Sequence, residues 1–195
     1  MPAPAALLLA FDYLDPISFL LDRALGEILA PGVKVERLAL ELAPPHLPLL
    51  SAESHDWKGR VRTGLREGPT LGIRLEPPAL LPRTRKAHEL ALLGREQGCF
   101  PSLHNALFQA CLLEGRDVGR VDELVRVAES VGLDAALSRV TLDVDRFAQE
   151  VEAQLARTEA LDIHVTPTLL WDGGGLEGYL PPDRLRTLLP PGLLA

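Results

Sequence analysis

Residues 11 to 20 of the chain read FDYLDPISFL, and within that stretch Asp15 and Ser18 place a carboxylate and a hydroxyl three positions apart around Pro16. An ionised Asp15 can act as a general base or anchor a cationic or hydroxylated ligand, and Ser18 can donate or accept a hydrogen bond. Both residue types also serve structure. An aspartate at a helix N-cap contributes about 0.5–2 kcal/mol, and a first-turn hydroxyl bonds readily to nearby backbone. Asp15 and Ser18 are thus the candidate catalytic residues, with a structural reading open for each. The two cysteines, Cys99 and Cys111, stand twelve positions apart, which matches neither a redox pair nor a zinc site. The histidines, His46, His55, His88, His104 and His164, form no H-E-x-x-H or similar metal motif. His88 and His104 read as structural or surface residues, whereas His164, three positions before Pro167, is a candidate for the mouth of a site.

The elements that would position these groups follow from local pattern. Ala5 to Phe11 is a continuous apolar run, as expected of a strand covered on both faces. A helix is expected from about Pro16 to Ala30, with Asp15 as N-cap and Pro16 at the first helical position, where its missing N–H costs nothing. Pro31-Gly32 stops it, and Val33 to Leu40 reads as a second strand, parallel to the first. A proline-rich connector, APPHLP (43–48), precedes a weaker helix around Trp57, Val61 and Leu65.

From Thr84 to about Ala160 the pattern is helical almost throughout. One stripe is Leu103, Ala106, Leu107, Ala110, Cys111 and Glu114; a second, Leu124, Val125, Ala128 and Val131, ends at Gly132. A third is expected from Val144 through Phe147, Ala148, Val151 and Leu155 to Thr158, capped by Asp143. TPTLLW (166–171) then reads as a strand, DGGG (172–175) as a hairpin turn and LEGY (176–179) as its partner. PPDRLRTLL (181–189) closes with a helix. The glycine run lies in a hairpin, not between strand and helix, so it is no phosphate cradle.

Size and charge narrow the function classes. The 195 residues are 47% hydrophobic and 24% charged, enough for one sizeable core but not for two large domains. A formal net charge of −7 with scattered acidic residues argues against nucleic acid, which demands a concentrated basic surface. The opening MPAPAALLLAF lacks the basic start of a signal peptide, and no stretch approaches a membrane span. A cytoplasmic protein is expected, and two cysteines build no disulfide framework.

The order β-α-β, helical block, β-β-α resembles an α/β thioredoxin-like fold with a helical domain inserted. The expected division is residues 1–44 and 161–195 for the thioredoxin-like part and 45–160 for the insert. The chain is similar to the DsbA-like superfamily, which includes bacterial thiol-disulfide oxidoreductases, 2-hydroxychromene-2-carboxylate isomerases and kappa-class glutathione transferases. FDYLDPISFL resembles the strand–corner–helix written F-D-x-x-C-P-x-C in redox members and D-x-x-S-P-x-S-x-L in the isomerase and transferase members. LPRTRKAHELA (81–91) is similar to the pattern P-N-T-x-x-A-x-x-L, and LHNALFQACLLEGRDV (103–118) to L-H-x-A-L-F-x-A…E-G-R-D-I. IHVTPTLLWDGGGLEGYLPPDRLRTLL (163–189) resembles the closing segment with its cis-proline, turn and last helix.

The resemblance implies a cis bond before Pro167, with the Thr166 backbone brought against Asp15 where relatives hold a thiol or peptide. It implies a ligand site formed by Tyr13, Pro16, Arg83, Val165, Thr166 and Pro167, with Arg83 replacing an asparagine and able to clasp an anionic group. It also allows glutathione as a ligand and a homodimer as the assembly. The chain departs from the family where the chemistry lies: Asp15 and Ser18 occupy the two cysteine positions, so neither can form a disulfide. Three functions are then open. The first is a non-redox protein binding a small organic molecule, a thiol conjugate or a peptide. The second is a glutathione-dependent isomerase or transferase using Ser18. The third is a redox enzyme borrowing Cys99 or Cys111.

Overall fold

A computed structural model describes residues 7–78 and 80–195. Strand β1 (Leu7–Phe11) leads into helix α1 (Pro16–Ile28), and strand β2 (Val35–Ala39) returns parallel to β1, with Leu7 opposite Val35 and Phe11 opposite Ala39. Of the expected first strand, Ala5 and Ala6 lie outside the described residues. Helices α2 (His55–Glu67), α3 (Arg85–Glu96), α4 (Phe100–Leu112), α5 (Val121–Ser130), α6 (Ala135–Asp143) and α7 (Ala148–Ala160) follow. Strands β3 (Thr168–Trp171) and β4 (Gly174–Glu177) and helix α8 (Pro182–Leu188) close the chain. The sheet runs β2-β1-β3-β4, with β3 antiparallel to both neighbours. This is a thioredoxin-like α/β fold with a helical region inserted between β2 and β3.

The first strand is buried almost along its length, and its Leu7, Leu9 and Phe11 belong to one apolar cluster with Leu20, Leu21, Leu25 and Ile28 of α1. Each such side chain contributes about 1.5–3 kcal/mol on leaving water. The same apolar cluster continues into the insert through Leu90, Leu93, Leu103, Leu107 and Phe108, so sheet and helical block share one core.

Four expectations are corrected. Helix α1 stops at Ile28, not Ala30, because Leu29 pairs with Leu194 and the Ala30 amide donates to the Leu193 carbonyl at 2.9 Å. The stripe expected from Val144 does not start there, and Asp143 is not a cap. Asp143 ends α6, whose own cap is Asp134; Asp145 then turns through φ 53° and Phe147 occupies the N-cap position of α7. Glu114 falls past the end of α4 at Leu112. Finally, the hairpin turn is only Asp172-Gly173, with Gly174 and Gly175 already in β4. A Cβ on Gly174 would come within 2.7 Å of the Trp171 indole, so a side chain there would displace that ring.

Candidate functional site

The chain leaves β1 at Phe11, and Asp15 caps α1 with extended backbone at φ −84° and ψ 110°. Its Oδ1 accepts from the Ile17 amide at 3.1 Å, and its Oδ2 from the Ser18 amide at 3.2 Å. The Ser18 hydroxyl donates to Asp15 Oδ2 at 2.7 Å. In turn Ser18 Oγ lies 3.4 Å from the Asp12 amide, which donates to it. Both side chains are fully buried. Asp15 is therefore the N-cap the sequence allowed, and the Ser18 hydroxyl is turned inward on it.

A residue with no signal in the sequence, Arg60, completes the corner. Arg60 of α2 sets Nη1 3.1 Å from Asp15 Oδ1 and donates from the same nitrogen to the Thr166 carbonyl at 2.8 Å. Thr166 Oγ1 lies 3.4 Å from Nη1, and Nε donates to Asp56 Oδ2 at 3.0 Å. One guanidinium thus ties the start of α1 to the loop before Pro167, whose preceding peptide bond is cis. In the sequence Arg60 looks like half of an i, i+4 surface pair with Asp56; its contacts 45 and 106 positions away have no local signature.

Burial pushes the Asp15 carboxyl up from its ordinary value, while Arg60, the Ser18 hydroxyl and the Ile17 amide pull it down. Arg60 is itself partly desolvated, yet the Asp15 and Asp56 carboxylates hold it above the usual arginine value. Asp12, also missed from sequence, is a second buried carboxylate at this turn. It accepts from the Leu14 amide at 3.2 Å and the Leu42 amide at 2.6 Å, and His88 Nε2 lies 3.6 Å away. Burial acts to raise its pKa, but His88 and the Leu42 amide outweigh that and hold it low.

Beside the corner opens a cleft of about 520 Å³, lined by Ile17, Arg60, Arg62, Val165, Thr166 and Gly178 among others. Of the expected ligand residues, Val165 and Thr166 line it and Val165 is well exposed. Pro167 follows directly at the cis bond, and Pro16, Tyr13 and Arg83 are placed elsewhere. Pro16 is buried beside Gly64 of α2. Tyr13 is fully buried behind the corner; its hydroxyl meets His104 Nδ1 at 2.8 Å and its ring packs edge-on against Phe11. Arg83 donates to the carbonyls of Ala43, Pro44 and Leu47, the last at 2.8 Å, so its fork holds the proline-rich connector.

His164 is exposed and bonded to Asp162 at 2.9 Å. His88 and His104 are buried, as structural residues would be. Cys99 and Cys111 are both free thiols at opposite ends of α4, about 18 Å apart by helical rise. Burial pushes the Cys111 thiol up. Among the described residues no group of three or more His, Cys, Asp or Glu side chains is arranged to hold a metal, and no helix is long and apolar enough to cross a membrane.

Comparison with known proteins matches residues 7–190 to the family described as the DSBA-like thioredoxin domain. The Bacillus subtilis protein named "Uncharacterized protein YwbO" is 28% identical over 169 residues, covering 82% of each chain. A probable DsbA oxidoreductase from Streptomyces coelicolor superposes with a TM-score of 0.78 at 20% identity, covering 96% of this chain and 89% of that one. A 2-hydroxychromene-2-carboxylate isomerase superposes with a TM-score of 0.73 at 22% identity, covering 94% and 92%. At those identities the structural likeness is one of fold.

Proposed function

This chain belongs to the DSBA-like thioredoxin domain family, and from that premise we propose that it is a binding member without disulfide exchange of its own. Its ligand, a small organic or thiol-containing molecule or a peptide, lies in the cleft between the Asp15–Ser18 corner, the cis-Pro167 loop and α2. The observation that carries this reading is the Arg60 bridge. Where redox relatives keep an attacking sulfur, this chain keeps a carboxylate that already accepts from a guanidinium, a hydroxyl and two amides.

A carboxylate cannot replace a thiolate in disulfide exchange, which proceeds by attack of sulfur on sulfur. The Ser18 hydroxyl spends its proton on Asp15, which argues against the isomerase or transferase reading in which a serine donates to glutathione. What is left facing the cleft is a surface for recognition: the half-open Val165 side chain, the Ile17 side chain and the exposed Arg62.

Titration calorimetry with glutathione and with a short extended peptide, on the full chain and on Val165→Asp, tests the reading. We expect saturable binding of at least one of them, weakened tenfold or more by a charge at position 165. Binding that survives Val165→Asp but disappears in Ser18→Ala would instead favour the glutathione-dependent enzyme.

A further inference from the structure

A second cleft, of about 610 Å³, opens between the connector after β2 and helix α7. Its walls combine apolar side chains, Leu40, Leu155 and Ile163, with acidic ones, Glu41, Glu152 and Glu159. Arg85 is the one Lys or Arg in the lining, and its guanidinium is already divided between Glu41 and Glu152. Two of the three carboxylates therefore share a single guanidinium, and Glu159 has no ion-pair partner among the described residues.

The Glu41 side chain is wholly buried; Oε1 takes Arg85, while Oε2 has no hydrogen-bond donor among the described residues. A buried carboxylate oxygen without a donor is costly, and a cation close by offsets part of that cost. The two exposed glutamates, Glu152 and Glu159, stand on the same helix, seven positions apart. Such a spacing puts both on one side of α7, two turns from each other.

We propose that this cleft is a binding site for a small organic cation, a protonated primary amine on an apolar body. The apolar body packs against Leu40, Leu155 and Ile163, and the ammonium group meets the excess negative charge contributed by Glu41, Glu152 and Glu159. The site is independent of the reading given to the Asp15 corner, although His164 in its wall precedes directly the Val165 and Thr166 that line the first cleft.

The test is calorimetric titration of the full chain with 2-phenylethylamine at neutral pH and low salt, against 2-phenylethanol as the uncharged isostere. Saturable amine binding is expected, with the alcohol at least tenfold weaker. In the double variant Glu152→Gln with Glu159→Gln, both on the exposed surface of α7, amine affinity is expected to fall at least fivefold. Arg62→Ala, in the other cleft, should leave it unchanged. Absence of amine binding, equal binding of amine and alcohol, undiminished affinity in the double glutamine variant, or a loss in Arg62→Ala would each overturn the proposal.

Discussion

Removing the guanidinium of Arg60 would leave the Asp15 carboxylate buried with its charge met only by hydrogen bonds. Breaking a buried pair from one side costs about 3–5 kcal/mol, whereas replacing both partners by neutral groups is often close to neutral. Arg60→Ala should therefore lower the unfolding free energy by roughly that amount in denaturant titrations, and Asp15→Asn with Arg60→Leu by distinctly less. A double variant as unstable as the single one would show that Arg60 acts by packing, not charge. The same geometry bears on the lost thiols. With Asp15→Cys and Ser18→Cys, the new first thiol would sit at a helix N-terminus against Arg60, two influences that favour a thiolate. Its pKa should fall from about 8.5 to 7.5 or lower, and Arg60→Ala in that background should raise it again; a thiol titrating at its ordinary value would refute the retained geometry. Asp15 and Ser18 were legible because capping is local and their neighbours are local. Arg60 was not, because its role is set by Thr166 and Asp15, which only the folded chain brings to it.

Helix α4 is fastened to the sheet and to α1 through polar contacts as well as core packing. His104 meets the Tyr13 hydroxyl beyond β1 at 2.8 Å and lies 3.4 Å from Asp22 of α1, which also pairs with Arg37 of β2 at 2.8 Å. Burial pushes the His104 pKa down, against the pull of Asp22. Burial alone would raise Asp22, but His104 and Arg37 outweigh it and hold that carboxyl well below the usual range. Both folded-state values are depressed, so each group stabilises the fold above its unfolded pKa and loses that contribution as pH falls. For His104 the loss begins near pH 6.5 and for Asp22 only near pH 3.9, their approximate unfolded values. Asp15, Glu41 and Glu89, whose carboxyls are raised by burial, contribute with the opposite sign. A difference measurement separates them: between pH 7 and 5 the wild type should lose more stability than His104→Gln. Parallel pH dependences in the two proteins would contradict the assignment. At this scale the sequence was readable wherever a cap or a glycine marked an element's end, as at Asp15 and Gly132. It was unreadable at the α6–α7 junction, where a left-handed aspartate, Asp145, makes the turn and the apolar pattern runs on unbroken.

In the molecule as a whole the order of elements was legible because each follows from local periodicity, and the four-stranded sheet follows from that order. The continuity of the core was not, since the contacts that join Leu9 and Phe11 to Leu93 and Leu107 are long-range. That shared core also decides what the two thiols can do. Disulfide exchange needs a thiolate that is both accessible and favoured by its surroundings. Cys111 faces the core between sheet and insert, wholly enclosed, and its thiol is pushed up by burial. Cys99 is half-buried at the opposite end of the same helix, too far away to pair with it. A thiol reagent should therefore label Cys99 readily in the native chain and Cys111 only after denaturant has opened the core. Insulin reduction by dithiothreitol should proceed no faster with the protein than without it. Rapid native labelling of both cysteines would show that the core opens on the timescale of the reagent. Turnover abolished by Cys99→Ala or Cys111→Ala would place the chain among redox enzymes after all, with a sulfur outside the Asp15 corner as its reagent.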